Sequence, residues 1–402
     1  MPFPRVAIAV SHPIQHFCPL YAALAADGRL DVKVFFGSTA GVRPYYDRDF
    51  ARTIEWSGSL TAGYQSEFLS GAETADPAQG VDGRGLGQRL SAWNPAVVQV
   101  YGFHHGISRR GIAWAWRNRR RTLLVSDSEL RTRRPWRVRA RKRLSVPLLL
   151  SFIDGFLTIG DRNEAYYNHY GASPRRFFRS PYPIDTNLLD DAVRDRQVRR
   201  RRVRAALGVA DDDIVLLTVG KLTARKRPAD VIHALGKLGD RTARPPVAVL
   251  AGDGPEMAAL TRLAQVSAVD RVRLPGFVNT HEIADYYVAA DILVHPSGED
   301  PHPLATSEAV YCGLPAIVSD RVGSVGPTDD VRPGENGVEY PVGDIDALAR
   351  AIERLVNDHG LRQEMSDRSR AIGAERTLDV SVGGFVRAVE AVSPREPSFA
   401  TS

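Results

Sequence analysis

The chain has 402 residues, of which 43% are hydrophobic and 25% are charged, a balance typical of a soluble globular protein. This length exceeds what a single hydrophobic core usually supports, so two or three domains are expected. The only two cysteines, Cys18 and Cys312, exclude a disulfide framework and a zinc motif, and they favour a reducing compartment such as the cytoplasm.

Apolar runs in this chain are too short for a membrane-spanning protein. None reaches the roughly 20 residues that span a bilayer, and the first run, residues 5–10, is too short for a signal peptide. The net charge of +6 is concentrated in residues 109–143, which are dense in arginine. This segment indicates either a solvated helix face or a patch that contacts anionic lipid on the inner face of the membrane. Nucleic acid is not expected as a partner, because no recognised binding motif is present.

Strand-like apolar runs alternate with amphipathic helices along the whole chain. This alternation predicts parallel βαβ units, and two sets of them predict an α/β protein with two doubly wound domains. The predicted strands span residues 6–10, 32–36, 96–101, 122–126 and 156–160 in the first half, and 214–220, 247–252, 272–274, 292–295 and 315–319 in the second.

Domain boundaries follow from breaks in this rhythm. We expect a first domain over residues 1–190 and a second over 200–378, joined by a polar, arginine-rich segment. A helix at about 380–392 is expected to pack back on the first domain, and residues 393–402 read as a flexible tail.

Residues 41–94 show no clear βα rhythm. Long connections in compact domains are often functional, so this region either covers an acceptor or is a surface loop packed by its own aromatic side chains. Its aromatic residues are Tyr45, Tyr46, Phe50, Trp56, Tyr64 and Phe68.

Several polar side chains follow predicted strands of the first domain. Ligands of open α/β sheets bind beyond the carboxyl ends of the strands, so these residues are candidates for the acceptor side of a cleft. A loop or helix-capping role is the alternative for each. The candidates are His12, Gln15 and His16 after the first strand, His104 and His105 after a later one, and Asp127 after the next.

Two scarce lysines follow the first strand of the second domain. Only five of the 53 basic residues are lysines, yet Lys221 and Lys226 both lie directly after the strand at 214–220. Lysine is a compact charge that suits a single phosphate oxygen. The pair therefore indicates a phosphate site, with ordinary surface lysines as the alternative.

The segment from Ser297 to Pro315 is the most informative part of the chain. It follows the predicted strand at 292–295 and contains two acids, Asp300 and Glu308, with seven residues between them. The second acid lies in a helix-like stretch, whose first amide N–H groups lack internal partners and can bind phosphate oxygens. The two acids can accept hydrogen bonds from sugar and ribose hydroxyls. The segment therefore predicts a sugar-nucleotide site.

This segment resembles the donor-site signature of the family 4 retaining glycosyltransferases, which have the GT-B fold. The shared pattern is an acid, seven residues, Glu308-Ala309, and then Cys312-Gly313-Leu314-Pro315. Asp300 stands where the family usually has Glu, so its neighbour Glu299 is an alternative for that role.

Other segments of the second domain resemble the same family. Lys221 and Lys226 match a pair of basic residues five positions apart, Gly252 and Gly254 match a Gly-x-Gly-Pro turn, and Gly276-Phe277-Val278 matches the segment that contacts the nucleotide base. In the first domain, the turn from His12 to Gln15 resembles a subgroup involved in polysaccharide and glycoconjugate assembly.

The resemblance implies two Rossmann-like domains that face each other across a cleft, and a role for each matched residue. The implied catalytic residues are Lys221 and Lys226 on the diphosphate, Asp300 on the sugar, Glu308 on the ribose, and His104 or His105 on the donor sugar. The implied donor-binding residues are Gly220, Gly252, Gly254, Phe277, Val278, Glu299, His302, Pro303, Leu304 and Ala305.

The implied activity is transfer of a sugar from a nucleotide diphosphate donor to an acceptor hydroxyl, with retention of configuration. The acceptor would be a saccharide, a lipid-linked molecule or a small molecule. No Asp-x-Asp motif follows a predicted strand, so we expect no metal, and no cofactor besides the nucleotide-sugar co-substrate. The alternatives are a sugar-nucleotide epimerase, a phosphorylase with Lys237 as its pyridoxal lysine, or a non-catalytic basic scaffold on anionic membrane or nucleic acid.

Overall fold

The structure is a computed structural model that describes residues 3–42, 45–47, 52–54, 59–131, 135–266 and 270–393. Its strands form one parallel sheet of seven strands and a second of six. Alternate residues of a central strand face opposite sides of the sheet, and both sides are buried by helices. The predicted α/β architecture with two doubly wound domains is confirmed.

The first sheet is built from strands of the first 180 residues. Its order is β5-β2-β1-β6-β7-β8-β9, and the short hairpin β3-β4 stands apart from it. The strands are β1 Arg5–Val10, β2 Asp31–Phe36, β3 Tyr45–Asp47, β4 Arg52–Ile54, β5 Gln65–Phe68, β6 Val97–Tyr101, β7 Arg121–Val125, β8 Gly155–Thr158 and β9 Phe177–Arg179. The helices are α1 Cys18–Asp27, α2 Leu86–Trp93, α3 Gly106–Arg117, α4 Trp136–Leu150 and α5 Asp161–His169.

The second sheet has the order β12-β11-β10-β13-β14-β15, so its strand order reverses between β10 and β13. Its strands are β10 Val215–Val219, β11 Val247–Ala251, β12 Val272–Gly276, β13 Ile292–His295, β14 Ala316–Ser319 and β15 Gly337–Tyr340. The helices after β9 are α6 Thr186–Arg194, α7 Arg196–Leu207, α8 Ala229–Leu238, α9 Met257–Val266, α10 Thr280–Ala289, α11 Leu304–Tyr311, α12 Ile345–Asn357, α13 His359–Gly373 and α14 Leu378–Val392.

The ten strands predicted from the sequence are all present, with bounds that shift by at most two residues. The strands that were missed include β5, β9 and β15, which lie at sheet edges. Edge strands are short and only partly buried, so they do not need the continuous apolar run that identifies a central strand.

Residues 41–94 contain more regular structure than predicted. They include β5 and α2, so the expectation of a region without βα rhythm is wrong there. Tyr64 packs against Tyr21 with ring centroids 5.6 Å apart, and Phe68 lies 5.3 Å from Phe36. These two aromatic residues therefore belong to the core of the first domain. Of the others, Phe50 and Trp56 lie outside the described residues, and the side chains of Tyr45 and Tyr46 are not described.

The arginine-rich segment between the domains forms α7, which packs on α10. Its arginines pair with acids of the second domain. Arg199 Nη1 lies 2.7 Å from Asp285 Oδ1, and Arg204 Nη2 lies 2.7 Å from Asp291 Oδ2. Arg204 is 1% exposed and also donates to backbone carbonyls after the helix. These charges therefore hold α7 on the second domain.

The last helix, α14, crosses from the second domain to the first. It contacts α1, β8 and β9, and Phe385 and Val389 are buried in the core of the first domain. Two hydrogen bonds fix the crossing: Ser381 Oγ donates to the Pro181 carbonyl at 2.8 Å, and Ser180 Oγ donates to the Ser381 carbonyl at 3.0 Å. The final turns of the chain thus complete the first domain.

None of the helices within the described ranges combines the length and the apolarity needed to cross a bilayer.

We expect Phe385→Ala to destabilise the first domain by about 3 kcal/mol, because truncating a buried Phe leaves a cavity. Phe385 is 2% exposed. Denaturant unfolding followed by circular dichroism measures the loss. Arg387→Ala, at an exposed position of the same helix, is the control and should change stability by less than about 0.5 kcal/mol. Equal effects of the two substitutions would contradict the assignment of α14 to the core.

Candidate functional site

Four loops of the second domain meet at one edge of its sheet. They follow β10, β11, β12 and β13, and β10 lies between β11 and β13, where the strand order reverses. In an open parallel sheet this reversal leaves a crevice at the carboxyl ends of the strands. Each segment that the sequence singled out in the second domain lies in, or directly after, one of these loops.

Glycines allow the first three loops to pack backbone against backbone. Gly252 N donates to the Gly276 carbonyl at 3.0 Å, and Leu222 N donates to the Asp253 carbonyl at 2.9 Å. A Cβ on Gly252 would lie 1.9 Å from the Gly220 oxygen, and one on Gly254 would lie 2.5 Å from the Leu222 oxygen. Both glycines are therefore required by close packing, which places the loops after β10 and β11 in direct contact.

The loop after β10 also contacts the loop after β13. Gly298 N donates to the Arg225 carbonyl at 2.7 Å, and Arg225 Nη1 donates to the Glu299 carbonyl at 2.6 Å. The ammonium of Lys226 forms an ion pair with the carboxylate of Asp300. One of the two predicted lysines thus lies beside the first predicted acid, just before α11 begins.

Asp300 is a buried carboxylate with two strong partners. His295 Nε2 lies 2.8 Å from Asp300 Oδ2, the oxygen that also contacts Lys226. Burial alone would raise the pKa of Asp300, but the His295 hydrogen bond and the Lys226 charge lower this pKa well below its usual range. Burial lowers the pKa of His295, so its ring is neutral and donates Nε2–H to the carboxylate. Asp300 is therefore ionised and fixed in direction.

Glu299 differs from Asp300 in its surroundings. Its side chain is only partly buried, and its carbonyl accepts hydrogen bonds from Arg225 and from Ser297 Oγ, the latter at 3.2 Å. Of the two neighbouring acids, Asp300 is the one whose carboxylate contacts Lys226.

Helix α11 begins without a side-chain cap, because the residue at the N-cap position is Pro303. The first amides of the helix therefore point out from its start without a capping oxygen. Nearby, Thr306 Oγ1 is buried and has no hydrogen-bond partner within the described residues. Leu304 packs against the cores of both domains. Phe277 and Val278 are partly buried in the loop after β12, and Val278 packs on the core of the second domain.

His302 does not turn toward the lysines. Its ring packs on Tyr182 at 5.2 Å, and its Nε2 lies 3.5 Å from Asp330 Oδ2. Its expected donor contact is thus limited to its backbone, because its side chain belongs to the interface between the domains.

Glu308 lies one turn into α11 and has its own environment. Tyr287 Oη donates to Glu308 Oε2 at 2.7 Å. Burial raises the pKa of Glu308 to about 7; the Tyr287 hydrogen bond lowers it, and the charge of Asp185 raises it further. The two predicted acids therefore hold separate positions, with Asp300 ionised and Glu308 close to its titration point at neutral pH.

The first domain brings histidines and an acid to the same cleft. His12 bonds Ser11 Oγ through Nδ1 at 2.9 Å, and His16 packs on Phe17 and Tyr182. Burial, with neighbouring histidines, lowers the pKa of both His12 and His16 to about 4. Both rings are thus neutral at pH 7 and can serve as polar, uncharged contacts.

His105 and His104 are placed differently. His105 is partly buried, faces His12, and accepts the Val81 amide N–H on Nδ1 at 3.1 Å. Burial lowers its pKa, so the neutral ring carries its proton on Nε2. His104 is exposed, and its carbonyl is bonded by Arg109. Of this pair, His105 is the one that the structure places in the cleft.

Two further predicted residues connect the domains. Gln15 Nε2 donates to Thr280 Oγ1 of the second domain at 3.4 Å. Asp127 lies beside Tyr101 and faces Asp300; burial and then the charge of Asp300 raise its pKa. Tyr101 in turn bonds Tyr182 through the two hydroxyls at 2.7 Å. Asp127 therefore joins the cleft, whereas Gln15 is an interdomain contact.

Sequence reasoning missed His295 and Tyr287. The position of His295 as the last residue of β13, five residues before Asp300, is a signal that could have been used. Tyr287 is brought to the site only by packing. No three His, Cys, Asp or Glu side chains are grouped as ligands for one metal ion in the part of the chain that the structure describes.

The second domain matches a known family of proteins. Residues 199–372 match the family "Glycosyl transferases group 1". The matched residues make up most of the second domain, and that part of the chain is similar to the group 1 glycosyltransferases. Two curated relatives are a D-inositol 3-phosphate glycosyltransferase of Geodermatophilus obscurus, 32% identical over 57% of this chain and 51% of that protein, and the lipopolysaccharide core biosynthesis glycosyltransferase LpsE of Rhizobium meliloti, 34% identical over 46% of this chain and 49% of that protein.

The sequence match to these relatives is partial, whereas the match to solved structures extends over the whole fold. The chain spans about half the length of the curated relatives it matches. In contrast, the structure of HepE from Anabaena in complex with UDP aligns with 97% of this chain and 100% of its own, with a TM-score of 0.71 and 16% identity. At that identity the likeness supports the GT-B fold alone, and it confirms the predicted arrangement of two Rossmann-like domains.

We expect Gly252→Ala to destabilise the second domain by more than about 1 kcal/mol and to weaken nucleotide binding, because its Cβ would overlap the Gly220 carbonyl. The control is the same substitution at Gly236, an exposed position inside α8 with open space around it. There alanine should stabilise the protein by about 0.5–1 kcal/mol, since glycine is a poor helix former. Thermal unfolding measures both changes, and a neutral Gly252→Ala would contradict the packing described.

Proposed function

We propose that this protein is a glycosyltransferase that moves a sugar from a nucleoside diphosphate donor to an acceptor hydroxyl. The observation that carries the proposal is the ion pair between the Lys226 ammonium and the Asp300 carboxylate, just before the uncapped start of α11. A cation and free amides suit a diphosphate, and an oriented carboxylate suits sugar hydroxyls. The structural neighbour HepE has been solved in complex with UDP-glucose, which supports a nucleotide-sugar donor here.

In this proposal the second domain holds the donor. Lys226 and Lys221 bind the diphosphate, and they stabilise the charge that develops on it as the bond to the sugar breaks. Asp300 accepts hydrogen bonds from the sugar, and Glu308, on the next turn of α11, accepts them from the ribose. A fixed cation at the leaving group supplies the stabilisation that a metal ion would otherwise provide, so the reaction is proposed to proceed without metal.

The first domain holds the acceptor. Asp127 and His105 lie at the carboxyl ends of β7 and β6, on the side of the cleft opposite the donor. Asp127 faces Asp300, so an acceptor hydroxyl between the two domains can donate a hydrogen bond to its carboxylate. We propose retention of configuration, which rests on the family resemblance. The acceptor is a saccharide, a lipid-linked molecule or a small molecule.

A phosphorylase of the pyridoxal type is not supported. Lys237, the lysine that it would use, is about half exposed and pairs with Asp346 at 2.6 Å between α8 and α12.

We expect Lys226→Ala to weaken binding of UDP or ADP by at least tenfold, and the double variant Lys221→Ala/Lys226→Ala to abolish it. Each lost charge-assisted contact to phosphate contributes about 1.5–3 kcal/mol. Isothermal titration calorimetry and thermal shift measure the binding, and Lys237→Ala is the matched control. For wild-type protein, the thermal shift should survive addition of a chelator. A shift that vanishes with chelator would refute the metal-free proposal, and unchanged binding by the double variant would favour the non-catalytic scaffold.

We further propose that the protein lies in the cytoplasm and contacts anionic membrane through residues 109–143. Helix α4 supports this, because it is anchored mainly through Val146 and Leu150 and is otherwise largely exposed. Trp136 is 72% exposed, Leu144 79% and Leu148 65%. Exposed arginines accompany these apolar side chains at positions 137, 139, 141 and 143. A helix that presents both kinds of side chain suits the surface of an anionic bilayer.

We expect the protein to sediment with vesicles containing phosphatidylglycerol, and less so as salt rises from about 0.1 M to about 0.5 M. Each basic residue near such a surface contributes about 1 kcal/mol, so Arg139→Glu/Arg141→Glu/Arg143→Glu should lower binding more than a hundredfold. The control reverses three exposed arginines of the second domain, at positions 262, 350 and 354. Equal binding to neutral and anionic vesicles, or equal losses in the two triple variants, would rule the contact out.

A further inference from the structure

One acid of the first domain is inserted into the second. Glu129 follows β7 and is 9% exposed, and its Oε2 is buried without a hydrogen-bond partner within the described residues. It lies against Gly323, where an added Cβ would be 2.9 Å from Glu129 Oε2 and 1.7 Å from the Pro301 carbonyl. Burying a carboxyl oxygen without a hydrogen-bond partner costs free energy, so the burial of Glu129 needs a structural explanation.

The segment that Glu129 contacts is the one that holds Asp300. Gly323 N donates to the Asp300 carbonyl at 2.8 Å, and Asp300 N donates to the Arg321 carbonyl at 3.2 Å. These two bonds clamp the backbone of Asp300 between residues 321 and 323. A shift of Gly323 would therefore move the backbone of Asp300, the residue that is proposed to orient the donor sugar.

Charged groups surround Glu129 from every element packed on it. Arg131, on its own segment, donates to the Asp320 carbonyl at 2.5 Å and pairs with Glu339 at 2.6 Å. Arg162, on α5, pairs with the same Glu339 oxygen at 2.6 Å and donates to the Val322 carbonyl. Both guanidiniums thus have partners besides Glu129, whereas the acids Glu299 and Asp300 face it from the second domain.

We propose that Glu129 is a positioning residue that seats Asp300 for the donor from the opposite domain, and that it does so in its protonated form. The inference rests on the proposed function of Asp300. Burial against the backbone favours a neutral carboxyl, and the two nearby carboxylates add to this, while Arg162 and Arg131, which are paired with Glu339, oppose it. Closure of the cleft over the donor is therefore coupled to uptake of one proton by Glu129.

The direction of the pH dependence follows from the environment. Burial raises the pKa of Glu129 to about 7; Arg162 and Arg131 oppose this, and Glu299 and Asp300 add to it. In an open form, in which the second domain would not cover Glu129, this side chain would be in water with the ordinary pKa of about 4.3. The closed form is thus favoured by protonation, and this advantage is lost as pH rises toward 7. Between pH 6 and pH 8 the closed form should lose about tenfold relative to the open one.

The test compares wild-type protein with Glu129→Gln, which mimics the protonated side chain in shape and charge. UDP is the probe, and its affinity is measured by calorimetry at pH 6 and pH 8. The pH-dependent ionisation of UDP and of the histidines affects both proteins equally, so its effect cancels in the ratio of their affinities for UDP. We expect Glu129→Gln to bind UDP more tightly than wild type at pH 6, and the ratio of the two affinities to grow by about a further tenfold at pH 8. Glu73→Gln, at an exposed position of the same domain, should match wild type at both values.

A second arm needs no ligand. The quantity measured is the thermal midpoint of a variant minus the midpoint of wild type at the same pH. If the inference holds, this difference rises by about 2 °C from pH 6 to pH 8 for Glu129→Gln, and it stays constant for Glu73→Gln. Glu129→Ala, which removes the carboxyl altogether, should abolish the same pH dependence if the Gln variant folds poorly. If the difference in thermal midpoint between Glu129→Gln and wild type is the same at pH 6 and pH 8, the proposed role of Glu129 is overturned. Failure of wild type to bind UDP or ADP at either pH counts instead against the proposed donor site, and the ligand-free arm then still decides about Glu129.

Discussion

The ion pair between Lys226 and Asp300 is the interaction on which the rest of the site depends. It joins the loops that follow β10 and β13, on the two sides of the point where the strand order reverses. A carboxylate this deeply buried is stable only with partners, and it has two, because His295 approaches it from the end of its own strand. The pair therefore sets both the charge and the direction of Asp300 before any donor binds.

The supporting structure brings those two loops together. Glycines at 252 and 254 let the loop after β11 lie directly under the loop after β10, and Gly298 does the same beside Arg225. The helix α11 then starts four residues after Asp300, the partner of Lys226. In the proposed reaction a diphosphate would bind both the ammonium and these amides, and Asp300 would keep His295 as its partner while it accepts hydroxyls. On donor binding, Lys226 would thus exchange its contact with Asp300 for contacts with the diphosphate, and the buried Asp300 would still have a partner in His295.

The first domain contributes mostly neutral groups. His12 and His16 have lowered pKa values because they are buried near other histidines, and Asp127 has a raised one because it is buried and faces Asp300. A cleft that already contains an ionised acid and a lysine gains little from further fixed charge. Neutral rings and a carboxyl with a raised pKa can exchange hydrogen bonds with hydroxyl groups, which are the chemical feature shared by sugars and their acceptors.

Much of this could be predicted from the order of residues, because the relevant signals are local. Apolar runs such as that of β13 identify central strands, and the placement of Lys226 and Asp300 after strands puts both at the same edge of a parallel sheet. Sequence alone could not choose between Glu299 and Asp300, or between His104 and His105, because neighbours in sequence point in different directions once the backbone turns. It assigned the amides near His302 to the donor, and it could not show that the His302 side chain packs against Tyr182 in the interface.

The chain by itself determined the two α/β units, most of their strands and the segments that line the crevice, since periodicity and strand-end position are properties of short stretches. Only the tertiary structure decided which side chains are buried, which acids face each other, and that Glu129 from one domain contacts the turn that carries Asp300 in the other. Those outcomes depend on the closeness of residues more than 150 positions apart, and on the loss of water around them. Neither the closeness of distant residues nor the loss of water around them can be predicted from a local pattern of residue types.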